Sequence, residues 1–390
     1  MVDTSGAYIP GHGTPTVILV ARSQAPVGST VKAVLGVRGE PGQPADPAEG
    51  LVWRSIVDQL SGRYAGNEQW TTLEALPRQA LATHPWSLSG GGASDLLAAV
   101  ETAGSRRLQT VVADLGSGVV TRADEVYLVG EGALRRWAVP VANTLPLVAG
   151  GNVRDWTIQT PDAALWPYNP ATLKAELDPG TQRFLWPYRF DLAERVAYGK
   201  TQLERKLTWF EYSMFFTNRF RVPLSISWAG VSTHNHFVLD RGGKAFNRWA
   251  DVVKLPKEAT EDDHLALLGV LNSSTACFWL KQNSHNKGST VDSKGARQTQ
   301  VPWEDFYEFT GTTLKDFPLP AALPLERGRL LDELAQRFSG SSPSAVAAQA
   351  VPSRCLVHRR GRVSFSSWAA RRPAGGARLG GVPALWASRR

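Results

Sequence analysis

The pattern of apolar and polar positions divides this 390-residue chain into short elements. Thr16–Ala21 and Val31–Val37 are rich in apolar and β-branched residues and are joined by a Pro/Gly/Ser loop, which predicts two strands. EPGQPADP, Glu40–Pro47, breaks the pattern. Over Glu49–Leu60 the residues Val52, Ile56, Val57 and Leu60 recur at helical spacing, and Ser61-Gly62 marks the stop. A glycine-rich joint at Ser89–Gly92 precedes a helix predicted over Ala93–Ala103. Residues 108–160 alternate short apolar runs with turn residues and predict β structure.

From about Trp166 the texture changes, and aromatic and basic residues interleave in FLWPYRF and in YGKTQLERKLTWFEYSMFFTNRFR. Ser225–Asp240 predicts paired strands. Asp262–Gln282 carries two helical stretches with Asn272-Ser273-Ser274 between or within them. Leu325–Phe338 repeats leucine at helical spacing and stops at Ser339-Gly340. The tetrapeptide LWPY occurs at Leu165–Tyr168 and Leu185–Tyr188, too short to imply duplicated domains.

Charge alters the picture at one end of the chain. The formal net charge is +8, yet no acidic residue follows Glu333, and Arg354–Arg390 holds nine arginines and no lysine. Without that segment 34 basic face 35 acidic side chains, a net charge of −1. A general inference from basicity to nucleic acid would therefore rest on the tail alone. The tail has two readings: a basic arm, or an out-of-frame translation of GC-rich coding sequence from about residue 354. Its lack of acids and scattered tryptophans favour the second, and disorder is expected over 341–390. The two cysteines, Cys277 and Cys355, are isolated, which excludes a disulfide framework or a cysteine-rich zinc site and fits a reducing cytoplasm. No apolar run is long enough to span a bilayer, so no membrane partner is expected.

Two motifs imitate methyltransferase chemistry. DLGSG, Asp114–Gly118, has the spacing of an S-adenosylmethionine loop, but VVTRADEVYLVG after it reads as strand, turn, strand, with no helix N-terminus to receive a ligand. WPYN at Trp166–Asn169 and WPYR at Trp186–Arg189 keep the aromatic of an Asn/Asp/Ser-Pro-Pro-aromatic tetrad but lack its leading acceptor, and read as rigid, packed turns.

Three stretches carry candidate contacts. In THNHFVLDRGG, Thr233–Gly243, His234 and His236 share one face of a strand, but no third metal ligand is evident. The alternatives are locally satisfied strand-edge groups, or DNA contact in which Asn235 pairs with an adenine edge and Arg241 and Lys244 reach phosphates. In Leu267–Gly288 the leucines, Phe278 and Trp279 are core candidates, Asn272, Ser273 and Ser274 are cap candidates, and Lys281, His285, Asn286 and Lys287 form a basic-polar loop. That loop is either solvated or in contact with phosphate. Tyr198–Arg221 reads as an amphipathic helix with a buried aromatic face, with Lys200, Arg205 and Lys206 left open as contacts.

SGAYIPGHGTPTVIL, VKAVLGVRGEP, RFLWPYR, ERVAYGKTQLERKLTWFEYSMFFTNRFRVPLSISWAGVSTHNHFVLDRGGK, EDDHLALLGVLNSSTACFWLK and DFYEFTGTTLKDFPLP together resemble large adenine-specific DNA methyltransferases of the phage-growth-limitation (BREX) type, discontinuously over residues 1–353. The resemblance implies the C-terminal, target-recognition part of such an enzyme. It would act on double-stranded DNA, beside other phage-defence proteins or a separately encoded catalytic half. It implies a mixed α/β fold, with remnant strands of the catalytic domain over 1–40, a connector over 41–160, an α+β recognition region over 161–340 and the tail beyond. DNA contacts are expected at Arg189, Lys200, His234, Asn235, His236, Arg241, Lys244, Asn272, Ser273, Lys281 and Lys287. The cofactor loop and tetrad belong upstream, so no catalytic, cofactor-binding or metal residue is assigned. The chain is expected to be inactive alone, and S-adenosylmethionine belongs to the intact enzyme. The alternatives are a free-standing DNA-binding or interaction module and one half of a split methyltransferase. On this view the opening stretch is a turn feeding Thr16–Val20 into a sheet, rather than a ligand loop with His12 as a base. Val17, Ile18 and Leu19 should then be poorly covered.

Overall fold

The computed structural model describes residues 1–11, 16–63, 69–82, 86–159, 162–288, 305–342 and 345–346. His12 and the tail from 347 lie outside them. The chain divides into two units, Met1–Phe338 and Ser339–Arg390. The first is a mixed α/β body of small sheets and short helices.

At the N-terminus four strands lie in the order Val17–Ile18, Val2–Asp3, Thr30–Gly36, Thr71–Pro77. Val2–Asp3 runs parallel to Thr30–Gly36, which pairs antiparallel with Thr71–Pro77 over seven residues. Ala33, Val34 and Leu35 are fully buried because both faces are covered. Val34 meets Val52 and Ile56 of the helix Leu51–Ser61, and Ala33 and Leu35 meet Leu76. The helix starts where the buried Glu40 carboxylate accepts from Leu51 N and Val52 N, both at 2.9 Å, and ends at Gly62 in the left-handed region. The edge strand is shorter than the apolar run predicts. Ile18 and Leu19 are 45% and 58% exposed, and Val17 is half-buried.

The central sheet has the order Phe237–Asp240, Ser225–Trp228, Val252–Lys254, Asp114–Gly116, all antiparallel. Ile226, Trp228, Phe237, Leu239 and Val253 pack against Leu265, Leu268 and Leu271 of the helix Glu261–Leu271 and Trp279 and Leu280 of the helix Ser274–Asn283. Trp228 satisfies its indole N–H on Phe309 O at 2.8 Å. Thr260 and Asp263 close a reciprocal cap on the first helix, and Ser273 caps the second through Ala276 N at 3.1 Å. The helix Ala93–Ala103 reaches this core through Glu101, which accepts from Trp279 Nε1 at 2.6 Å.

A second core is aromatic. Trp166 stacks on Phe220 with ring centroids 4.9 Å apart, and Tyr127, Tyr168, Tyr212 and Phe215 close around them. Two expectations change here. Tyr198–Arg221 is not one helix. It is the second half of a hairpin between Val196–Ala197 and Lys200–Thr201, a run of turns, the strand Met214–Phe215 and a short helix Thr217–Arg221. Tyr212 is a core residue with Trp209, Phe210, Phe215 and Phe220 packed against that core, placed there by tertiary contacts rather than a helical period, whereas Tyr198 is exposed. Buried Arg195 ties this segment down by donating to the carbonyls of Leu192 at 2.8 Å, Trp209 at 3.2 Å, Glu211 at 2.6 Å and Thr121. Second, only the first WPY turn is packed. Trp166 and Tyr168 are buried, whereas Trp186 and Tyr188 stand exposed.

Candidate nucleic-acid interface

The candidate contacts fall in three places rather than one. The first is the loop leading into Phe237–Asp240. His234 is exposed there, its Nδ1 3.0 Å from Thr233 Oγ1. Desolvation, followed by the charges of Lys281 and His236, holds its pKa below the ordinary histidine value. Lys281 lies with its ammonium 5.2 Å from the centre of the Tyr307 ring. His236 pairs with Asp155 at 2.6 Å, and Lys287 with Glu308 at 2.6 Å. The stretch expected as a basic-polar loop is instead a strand, His285–Gly288, paired with Phe306–Glu308. Lys281 sits one turn earlier, at the end of a helix.

The side chains of Asn235 and Asn272 are engaged with backbone groups. Asn235 is 6% exposed, and its amide donates to Leu271 O at 2.6 Å and Ser273 O at 3.2 Å. The Asn272 amide accepts from Phe237 N and donates to Phe237 O, both at 2.9 Å, and so acts as a partner to the strand edge. With Ser273 committed to its cap, all three residues fasten the helix pair to the sheet.

The second place is the far end of the same strand, about 16 Å away at the strand rise. Arg241 donates to Glu261 at 2.7 Å and Asp332 at 2.6 Å, and Lys244 to Asp240 at 2.7 Å. Each cation is already matched by a carboxylate. The third place lies on the aromatic core. The Arg189 guanidinium sits 4.5 Å over Trp186 and 4.3 Å over Phe190, rings that are 51% and 67% exposed. Lys200 is exposed on the hairpin, beside Tyr198 at its tip.

DLGSG does not fit a cofactor. Arg219 grips Asp114 with two bonds of 3.0 Å, and a Cβ at Gly116 would meet Arg219 Nη1 at 2.8 Å. The space a ligand would need is filled by this guanidinium. The loop runs from strand Asp114–Gly116 into strand Val119–Val120 as expected, though Asp124–Tyr127 beyond it is a helical turn. Among the described residues no three His, Cys, Asp or Glu side chains are grouped to hold a metal, and no helix is long and apolar enough to cross a membrane.

Sequence reasoning missed Arg219, Asp155, Arg195 and Lys254. For Lys254 a signal exists: it is the one charged residue in the apolar run Val252–Leu255. Its ammonium is buried and donates to Val222 O at 2.5 Å and Leu224 O at 3.3 Å.

Comparison with known proteins adds a class. No family model matches the chain. The chain is nevertheless similar to an adenine-specific methyltransferase, with 41% identity over 359 residues that cover 90% of it. That relative is adenine-specific methyltransferase PglX of Streptomyces coelicolor, and the chain spans 30% of its length. The resemblance carried by the segments from SGAYIPGHGTPTVIL to DFYEFTGTTLKDFPLP is therefore present over nine tenths of the chain. Among solved structures, the type IIG restriction endonuclease BpuSI is 13% identical at a TM-score of 0.40, covering 79% of this chain and 35% of its own. The type IIL restriction-modification enzyme MmeI, solved in complex with DNA, is 12% identical at 0.39, covering 62% and 30%. Neither likeness is close enough to transfer a position.

Proposed function

We propose that this chain is the target-recognition part of a site-specific DNA adenine-N6 methyltransferase of a bacterial phage-defence system. The observation that carries the reading is the 41% identity to PglX over 90% of the chain. On this reading the methyl donor, S-adenosylmethionine, is held by a segment of the whole enzyme outside these 390 residues. The exposed edge at Val17–Ile18 is the place where the catalytic domain's sheet continues.

Exposure and charge select among the contacts. Lys281 and His234 form one DNA-facing group, Arg189 with Lys200 forms another, and Lys287 is held by Glu308. Arg241 and Lys244 are held in ion pairs, and Asn235, Asn272 and Ser273 are structural supports. Phosphate contact releases counterions, so duplex affinity should fall linearly on a log–log salt plot. Removing one contact should reduce that slope by about one and weaken all duplexes alike. Fluorescence anisotropy on Lys281→Ala and Lys200→Ala tests this. Absence of duplex binding by the parent chain at low salt would defeat the DNA reading itself.

A further inference from the structure

A cavity of about 140 Å³ opens between the turn 241–244 and the segment 219–225. Its floor includes buried Asp240, Ser225 and Lys254, and its mouth includes exposed Arg221, Pro223 and Gly243. Gly242 and Gly243 have φ of 101° and 79°, a backbone that favours glycine and folds Lys244 back over Asp240.

The charges around this cavity do not balance. Asp240 is matched by Lys244 at 2.7 Å and Asp114 by Arg219 at 3.0 Å. Asp251 accepts from Ser117 and lies near Arg248 as well as Arg219. Two cations of the lining remain. The Arg221 side chain makes no hydrogen bond or ion pair among the described residues. Lys254 is 5% exposed and lies in the field of Asp240 and Asp114, but its ammonium bonds to two carbonyl oxygens rather than to either carboxylate. A buried ammonium without a directly bonded counter-charge is costly. The open volume beside this one is the cavity, whose mouth carries the second unmatched cation.

We infer that this cavity is an oxyanion site, sized for one phosphate group, with Lys254 at its floor and Arg221 at its mouth. The site does not depend on the DNA reading, because a DNA backbone phosphate and a free oxyanion present the same chemistry to it. Burial already pushes the Lys254 pKa down to about 8, so the site should weaken as pH rises past that value and the ammonium is lost.

The test is thermal unfolding of the full chain in sulfate and in inorganic phosphate, against chloride at equal ionic strength. Both anions stabilise proteins generally by exclusion, so the readout is the difference between parent and variant. Arg221 is exposed, so Arg221→Gln should fold. It should raise the half-saturating anion concentration about tenfold, the loss expected for a hydrogen bond to a charged group. Lys254→Met should abolish the saturable component. With sulfate, whose charge is constant, the parent's response should fade above about pH 8. Identical anion responses in the parent and Arg221→Gln would overturn the site, even if Lys254→Met does not fold. A duplex-binding arm identifies the source. If the phosphate belongs to DNA, Arg221→Gln lowers the salt slope by about one and phosphate competes with duplex. If the oxyanion is free, duplex binding by Arg221→Gln is unchanged while its half-saturating sulfate concentration still rises.

Discussion

Asn235 shows how one side chain can suit two jobs and be free for one. An asparagine amide offers the donor and acceptor that an adenine edge requires, and it offers the same pair to backbone groups. Here its amide nitrogen donates to the carbonyls of Leu271 and Ser273, in a site closed to solvent. Asn235→Ala should therefore cost about 1–3 kcal/mol by leaving the Leu271 carbonyl unpaired. Thermal unfolding should show the loss, while the duplex affinity of the folded variant stays unchanged. A normal melting temperature with lost sequence preference would show that the residue reads DNA. Nothing in the sequence decides this, because residue type encodes hydrogen-bonding capacity and only burial shows where it is used. The same holds for Arg241, whose residue type suits a phosphate and which here pairs with Glu261 and Asp332.

Elements with strong periodicity and end signals were legible. The helices Leu51–Ser61, Ala93–Ala103, Glu261–Leu271, Ser274–Asn283 and Leu325–Gly340 each fall within two residues of their apolar pattern, because caps and spacing act locally. Tyr198–Arg221 was not legible. Its aromatics recur at near-helical intervals but serve a core formed with Tyr127, Trp166 and Tyr168, distant in sequence. The hairpin at its start carries a sharper signal. Tyr198 has φ of 54° and Gly199 of 73°, a two-residue turn in which Asn-Gly is preferred and tyrosine is strained. Tyr198 is also 80% exposed, so its ring adds little packing. Tyr198→Asn should stabilise the protein by about 0.5–1 kcal/mol and weaken duplex binding if the tip faces DNA. A loss of stability in chemical denaturation would show instead that the ring supports the fold.

At the scale of the whole molecule, the mixed α/β architecture was what the family resemblance implied, and the body is mixed α/β. The near-neutral body was readable from charge counting. The grouping of contacts was not, since it depends on which strands pair: Val252–Lys254 lies beside Asp114–Gly116, strands far apart in the chain. That pairing sets Lys254 opposite Asp114, whose partner Arg219 lines the cavity. The result is a body with little net charge whose unmatched cations sit in particular places, which favours local contacts over a broad electrostatic field. Selection of a DNA sequence by this body is the central proposal. Its most direct measurement is selection of bound duplexes from a randomised pool by the 390-residue chain, followed by sequencing. Enrichment of one short motif containing adenine is the predicted result; a bound pool with the composition of the input would contradict it.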